Sequence, residues 1–280
     1  MKELVIISGK GGTGKTSISA SFALLAPQPV IVDCDVDASN LHLVLAPKIK
    51  EQHNFYSGYK AFIRQEDCIN CGDCLVNCNF KAIEQITLHD EFASDKNLLD
   101  CESCDYCKRS CSRRINSILK EMGATLERKI HRVNQFMCEG CGVCVRVCPK
   151  DAIDFQEELC GAWILSETRA GLMLHAKMNV AAENSGRLVS TIRKEARRVA
   201  KETRRSLIII DGPPGNACPV IASITGADLA LIVTEATVSG EHDLERVLAL
   251  TRHFGIKALV CINKWDINPK IAEQIEEIAS

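Results

Sequence analysis

"GKGGTGKT" (residues 9–16) decides how the rest of the chain reads. It follows a short apolar run at residues 3–8 and opens a helix expected over Lys15–Leu25. In that strand–loop–helix context the pattern G-x-x-x-x-G-K-[ST] predicts a phosphate-binding loop rather than a plain glycine turn. Backbone N–H groups of Gly9, Lys10, Gly11, Gly12, Thr13 and Gly14, with the helix N-terminus at Thr16 and Ser17, would cradle phosphates. Lys15 would reach the β- and γ-phosphates, and the Thr16 hydroxyl would bind Mg²⁺.

Outward from the loop the pattern is α/β. A strand is expected at Val30–Asp33, after a Pro-x-Pro break. Past residue 159, "AWILSE", "GLMLHAKM", "SLIIID", "DLALIVTE" and "ALVCINK" read as strands. Helices alternate with them. The one at 185–205 repeats Leu188, Ile192, Ala196 and Val199 at helical spacing. It carries eight Lys and Arg between Arg187 and Arg205, which read as a solvated face or as a docking surface for an acidic partner. Strands alternating with helices imply a doubly wound, mostly parallel sheet. Residues 60–158 break the pattern with short apolar runs and many cysteines. They are expected to be an insert dividing one domain into 1–59 and 159–280.

Bulk properties exclude several classes. The 280 residues carry a net charge of −2 and 5% aromatic side chains, so neither a nucleic-acid partner nor a base-stacking surface is expected. No apolar stretch approaches the roughly 20 residues of a membrane span, and no secretory signal is visible. Twelve of the sixteen cysteines fall in clustered C-x-x-C runs, which read as metal or Fe–S ligands in a reducing, cytoplasmic setting.

Three runs share the spacing C-x2-C-x2-C-x3-C: "CINCGDCLVNC" (68–78), "CESCDYCKRSC" (101–111) and "CEGCGVCVRVC" (138–148). The outer two resemble the runs of bacterial two-cluster ferredoxins, where the fourth cysteine crosses to the other cluster. That resemblance implies one [4Fe–4S] cluster on Cys68, Cys71, Cys74 and Cys148, and a second on Cys138, Cys141, Cys144 and Cys78. Zinc is the competing reading. The middle run, in an extra segment at about 95–132, lacks the companion glycine and proline. It stands among eight basic and two acidic residues between Lys108 and Arg132. Cys101, Cys104, Cys107 and Cys111 are expected to hold a third [4Fe–4S] cluster, with structural zinc or a redox-active thiol set as alternatives.

Lys10 makes the loop resemble the deviant Walker A loop of the MinD/ParA family, which includes the nitrogenase iron protein. The resemblance covers nearly the whole chain and implies an ATP-hydrolysing, nucleotide-dependent homodimer. Lys10 would act across the dimer and Lys15 within its own chain. "VDCDVDASNL" (32–41) is similar to switch I, with Asp35 orienting the attacking water and Asp33 and Asp37 as weaker candidates. "IIIDGPPG" (208–215) is similar to the Walker B strand and switch II, with Asp211, alongside Thr16 and Asp33, near Mg²⁺. "NKWD" (263–266) would place Asn263 on adenine, whereas Asp266 keeps guanine open. Cys218 reads as a small buried residue behind switch II, and Cys34, Cys160 and Cys261 as ordinary thiols. Family members usually continue past the point where this chain stops, about 14 residues after "NKWD". The resemblance therefore implies a shortened or missing end.

The leading expectation is ATP-gated, low-potential electron transfer to a protein partner. The alternatives are a carrier that assembles Fe–S or other metal clusters on a client, and a positioning switch with structural or sensory clusters.

Overall fold

The computed structural model describes residues 1–36, 39–88, 128–179 and 184–279. Asp37 and the middle quartet at Cys101, Cys104, Cys107 and Cys111 lie outside the described residues. The chain divides into two units: Met1–Ser57 with Leu159–Ser280, and Gly58–Glu158.

The first unit is built on a sheet with strands β1 (Lys2–Ser8), β2 (Val30–Asp33), β7 (Leu172–Met178), β8 (Leu207–Pro214), β9 (Leu229–Glu235) and β10 (Ala258–Asn263), with residues 48–57 of β3 (Lys48–Ile63) and 159–167 of β6 (Ile153–Glu167). Among the described residues their order is β10-β9-β1-β8-β2-β7-β6-β3. The pairs from β10 to β7 are parallel, and β6 runs antiparallel to β7.

Alternation along the central strands explains the layers. Val5, Ile7, Ile208 and Ile210 face a core that includes Leu188, Ile192, Ala196 and Val199 of α5 (Ser185–Glu202). Leu244 and Val247 of α7 (Val238–His253) join the same core. Ile6, Ile31 and Ile209 face the other side, against Ala20 and Ala23 of α1 (Lys15–Leu25) and Leu41 and Leu45 of α2 (Leu41–Leu45). A strand buried on both faces reads as the unbroken apolar run "LIII" because neither face meets water. Helices α6 (Cys218–Ile224) and α8 (Pro269–Ala279) complete this unit.

Helix α7 starts at Val238, where the Thr237 side chain accepts from the Gly240 N–H at 3.0 Å as its N-cap. Strand β3 is not among the strands expected. Its first seven residues, 48–54, are all exposed, so they carry none of the apolar alternation that marks a strand.

The second unit contains the antiparallel pair β4 (Ile83–Leu88) and β5 (Arg128–Val133), and the short helices α3 (Asp73–Val76) and α4 (Val143–Val147). Its two halves repeat with an offset of 70 residues. Arg64 N–H donates to Ala152 O at 2.8 Å, and Asn134 N–H to Ala82 O at 2.6 Å. The Gln65 amide donates to His131 O at 2.7 Å, and the Gln135 amide to Ala61 O at 3.0 Å. Each bond and its partner exchange under that offset, so the unit has internal two-fold pairing. Among its described residues a buried apolar cluster holds Ala61, Cys74, Ile83, Val133 and Ile153, with Ile63, Leu75, Val145, Phe155 and four more cysteines packed against it.

Candidate functional site

The loop between β1 and α1 bends at Gly14, which takes φ +90°. Only glycine adopts this without steric cost. A Cβ there would also collide with the Asn263 amide. That amide donates to Thr13 O at 2.8 Å, and Lys264 Nζ donates to Gly12 O at 3.3 Å. The end of β10 therefore braces the loop from above. Gly9, at the loop's start, lies against Asp243 of α7. Thr16 is partly buried, and Gly11, Gly12 and Ser17 are exposed.

Below the loop, parallel pairing sets Asp33 of β2 beside Asp211 of β8. Lys15 Nζ donates to Asp211 Oδ1 at 2.8 Å and lies 3.9 Å from Asp35 Oδ2. Ser19 Oγ donates to the same Asp211 oxygen at 2.8 Å. The other one, Asp211 Oδ2, is buried without a partner, as is the Thr13 hydroxyl. A buried carboxylate oxygen left unpaired costs free energy unless something meets it. A divalent cation does so, and the acidic, oxygen-rich donor set suits Mg²⁺. Asp33 accepts from Asp35 N–H at 3.1 Å, from Ser39 Oγ at 2.7 Å and from Leu41 N–H at 3.3 Å. Burial, and then the Asp211 charge, push its carboxyl up to about 7.

Sequence reasoning missed one residue, Glu235 at the end of β9. It pairs with Lys10 at 2.5 Å and with Lys264 at 3.1 Å, and both cations hold its carboxyl below the usual range. Lys10 also donates to Ser239 Oγ at 2.9 Å. In this single chain Lys10 is thus held by its own unit. Nothing in "VTEATVSG" marks Glu235, because its role depends on a loop more than 200 residues away in sequence.

Three further expectations meet the structure. Cys218 is exposed at the start of α6, not buried. The switch strand β8 runs on to Pro214, and α6 starts its turn outside the core, which leaves the thiol in solvent. Cys34 and Cys160 are buried, and Cys261 is partly buried. The basic helix α5 is only partly a solvated face. Arg193 is buried and reaches Glu3 Oε2 at 2.5 Å, and it donates to the carbonyls of Ala222 and Thr225 at 2.8 Å each. A buried arginine with all these partners is an anchor rather than a docking group.

In the second unit the outer cysteines gather around two cavities. One is lined by Cys68, Cys71, Cys74 and Cys148. The other is lined by Cys78, Cys138, Cys141 and Cys144. The fourth cysteine of each run crosses to the other run's cavity. Backbone N–H groups meet these crossing sulfurs symmetrically: Ala82 to Cys78 Sγ and Ala152 to Cys148 Sγ, both at 3.3 Å. Gly140, at φ +61°, presses its backbone on the Tyr59 carbonyl and lets the 138–144 loop close. Burial raises the Cys144 thiol and pushes Cys74 up to about 11.

Each cavity is lined by four cysteines, a donor set that fits a [4Fe–4S] cluster and that tetrahedral zinc also uses.

Among known proteins, the chain is 30% identical over 271 residues to an uncharacterized protein of Methanocaldococcus jannaschii, covering 95% of this chain and 79% of that one. It is 32% identical over 102 residues to the polyferredoxin protein MvhB of Methanothermobacter marburgensis, covering 34% of this chain and 22% of that one. A solved structure, the septum site-determining protein MinD complexed with Mg-ADP from Pyrococcus horikoshii, aligns with a TM-score of 0.45 at 17% identity. That alignment covers 98% of this chain and 76% of the other. Over residues 4–280 the sequence matches the CobQ/CobB/MinD/ParA nucleotide binding domain, and the chain belongs to that family.

Proposed function

We propose that this chain is a Mg·ATP-binding and hydrolysing iron–sulfur protein. It works as a nucleotide-dependent homodimer and passes low-potential electrons to a protein partner. The observation that carries this reading is the pair of cavities, each ringed by four cysteines, on a chain that also holds a complete phosphate loop.

In this reading the loop residues 9–17 bind the phosphates, and Lys15 neutralises them in place of its present partner Asp211. Thr16, Asp211 and Asp33 face Mg²⁺, and Asp35 orients the attacking water. Lys10 leaves Glu235 and meets the partner protomer's phosphates, while Asn263 leaves Thr13 for the base. Each outer quartet holds a [4Fe–4S] cluster, which stores one electron at a time. Cys101, Cys104, Cys107 and Cys111 hold a third. Switch I is joined to the second unit through α2 and β3, so a movement at Asp35 is passed along about 20 residues of continuous chain.

Reconstitution of the full chain with iron and sulfide under anaerobic conditions tests the metal content. About eight irons and eight sulfides per chain are expected from the outer pair, and about twelve of each with the middle quartet. Zinc without sulfide would contradict the reading. Lys15→Ala and Lys10→Ala are each expected to abolish ATP turnover, and normal turnover in Lys10→Ala would remove the cross-dimer role.

A carrier function is the second reading, favoured by the exposure of Cys71 and Cys141. A carrier loses its clusters to an apo-acceptor protein, whereas an electron-transfer protein keeps them through many reduction cycles.

A further inference from the structure

The internal two-fold pairing makes the two cysteine cavities comparable position by position, and their walls differ in polarity or charge at three paired positions. The cavity of Cys68, Cys71, Cys74 and Cys148 is lined by His131, Lys150 and Ile69. Under the 70-residue offset the same positions in the other cavity are Ala61, Phe80 and Glu139. A polar ring, a cation and a neutral side chain thus face a methyl group, an aromatic ring and an anion.

His131 is fixed in place. It is fully buried, with Nδ1 3.2 Å from Asn70 Oδ1 and Nε2 3.3 Å from the Gln85 amide nitrogen. The Asn70 oxygen accepts and the Gln85 amide nitrogen donates, so both ring nitrogens have a hydrogen-bond partner in the wall. Gln85 has Phe155 as its counterpart, and Phe155 lines the second cavity and stacks on Tyr59 with ring centroids 4.9 Å apart. The first cavity therefore has a hydrogen-bonded polar wall where the second has stacked aromatic carbon.

We propose that the two sites are redox-inequivalent, with the site of Cys68, Cys71, Cys74 and Cys148 at the higher potential, so that the first electron settles there. This deepens the iron–sulfur reading above and rests on it. Each site takes one electron from a one-electron donor, passing from [4Fe–4S]²⁺ to [4Fe–4S]¹⁺. With four thiolates the total charge goes from 2− to 3−, and no proton is needed. Polar walls and cations stabilise the extra negative charge and raise the potential, whereas apolar walls and anions oppose it. Other charges act against this order. Asp67 and Asp73, beside Cys68 and Cys74, have the apolar Met137 and Val143 as counterparts. Lys60 donates to Cys138 O at 2.7 Å, with Glu158 at 3.6 Å from it, and Arg146 reaches Cys141 O at 3.5 Å. None of these charged groups lines a cavity, whereas Lys150 and Glu139 do, and the ordering rests on those wall residues.

The test is an EPR-monitored titration with dithionite of the full chain reconstituted with iron and sulfide. Wild type is expected to show two separate one-electron steps from the outer sites. Lys150→Glu and His131→Ala are expected to lower the upper step alone. Glu139→Lys and Phe155→Gln are expected to raise the lower step alone, so the two converge. Lys150 and Glu139 are exposed, which keeps the test available if His131→Ala fails to fold. A step that ignores all four variants belongs to the middle quartet. Coincident steps in wild type, or Lys150→Glu moving the lower step or neither step, would overturn the ordering while leaving the iron–sulfur reading intact. A chain that takes up no iron and sulfide would overturn both.

Discussion

At the scale of single residues, the end of the molecule around the glycine loop is a set of closely paired charges. Asp33 shows it most directly, because its carboxyl is pushed up to about 7 by burial beside Asp211. The folded chain keeps that proton over a range where the unfolded chain, with an ordinary carboxyl near 4, has released it. The contribution to stability is full below about pH 4 and is lost as the pH rises through about 7. Nucleotide-free protein in EDTA is therefore expected to melt at a lower temperature at pH 8 than at pH 5. Asp33→Asn is expected to flatten that difference, which thermal unfolding at the two pH values reads directly. An unchanged difference in Asp33→Asn would remove Asp33 as its source. Lys15, Asp35 and Asp211 were legible in the sequence because loop motif and strand ends are local signals. Glu235 was not, since only the fold brings it to Lys10. Cys218 was misread for a related reason: burial depends on where α6 begins its turn, and "ACPV" does not state that.

At the scale of elements, the central strands and helices were readable from period alone, because burial on one or both faces writes itself into the residue pattern. Strand β3 escaped because its first seven residues are exposed and carry no such pattern. In the second unit the cysteine loops rest on particular backbone turns. Asn70 and Gly140 occupy equivalent positions with φ of +56° and +61°, but only Gly140 presses on the Tyr59 carbonyl. Gly140→Ala is expected to push the 138–144 loop off its site and to cost about 1–3 kcal/mol through backbone strain. Iron and sulfide analysis should then show about four of each missing per chain relative to wild type. A full load in Gly140→Ala would mean that the loop tolerates the methyl group and that the close approach is unimportant.

At the scale of the whole molecule, the two units draw on different sources of stability. The first buries a two-layered apolar core around its sheet. Among the described residues of the second, a core cluster of five buried side chains is packed by four cysteines and four apolar residues, so ligation is expected to add to its cohesion. Amide exchange at Ala61, Ile83, Val133 and Ile153 should slow markedly on loading with iron and sulfide, while exchange at Ile208–Ile210 changes little. Equal protection with and without iron would show that the second unit folds by packing alone. What unites the units in this account is gating: ATP binding at one alters the clusters in the other. The most direct test is an EPR-monitored redox titration of the reconstituted full chain with and without Mg·ATP. The account predicts that at least one cluster step shifts when Mg·ATP is present, and that Lys15→Ala abolishes the shift. Identical titrations in the two conditions, with nucleotide shown to be bound, would contradict it.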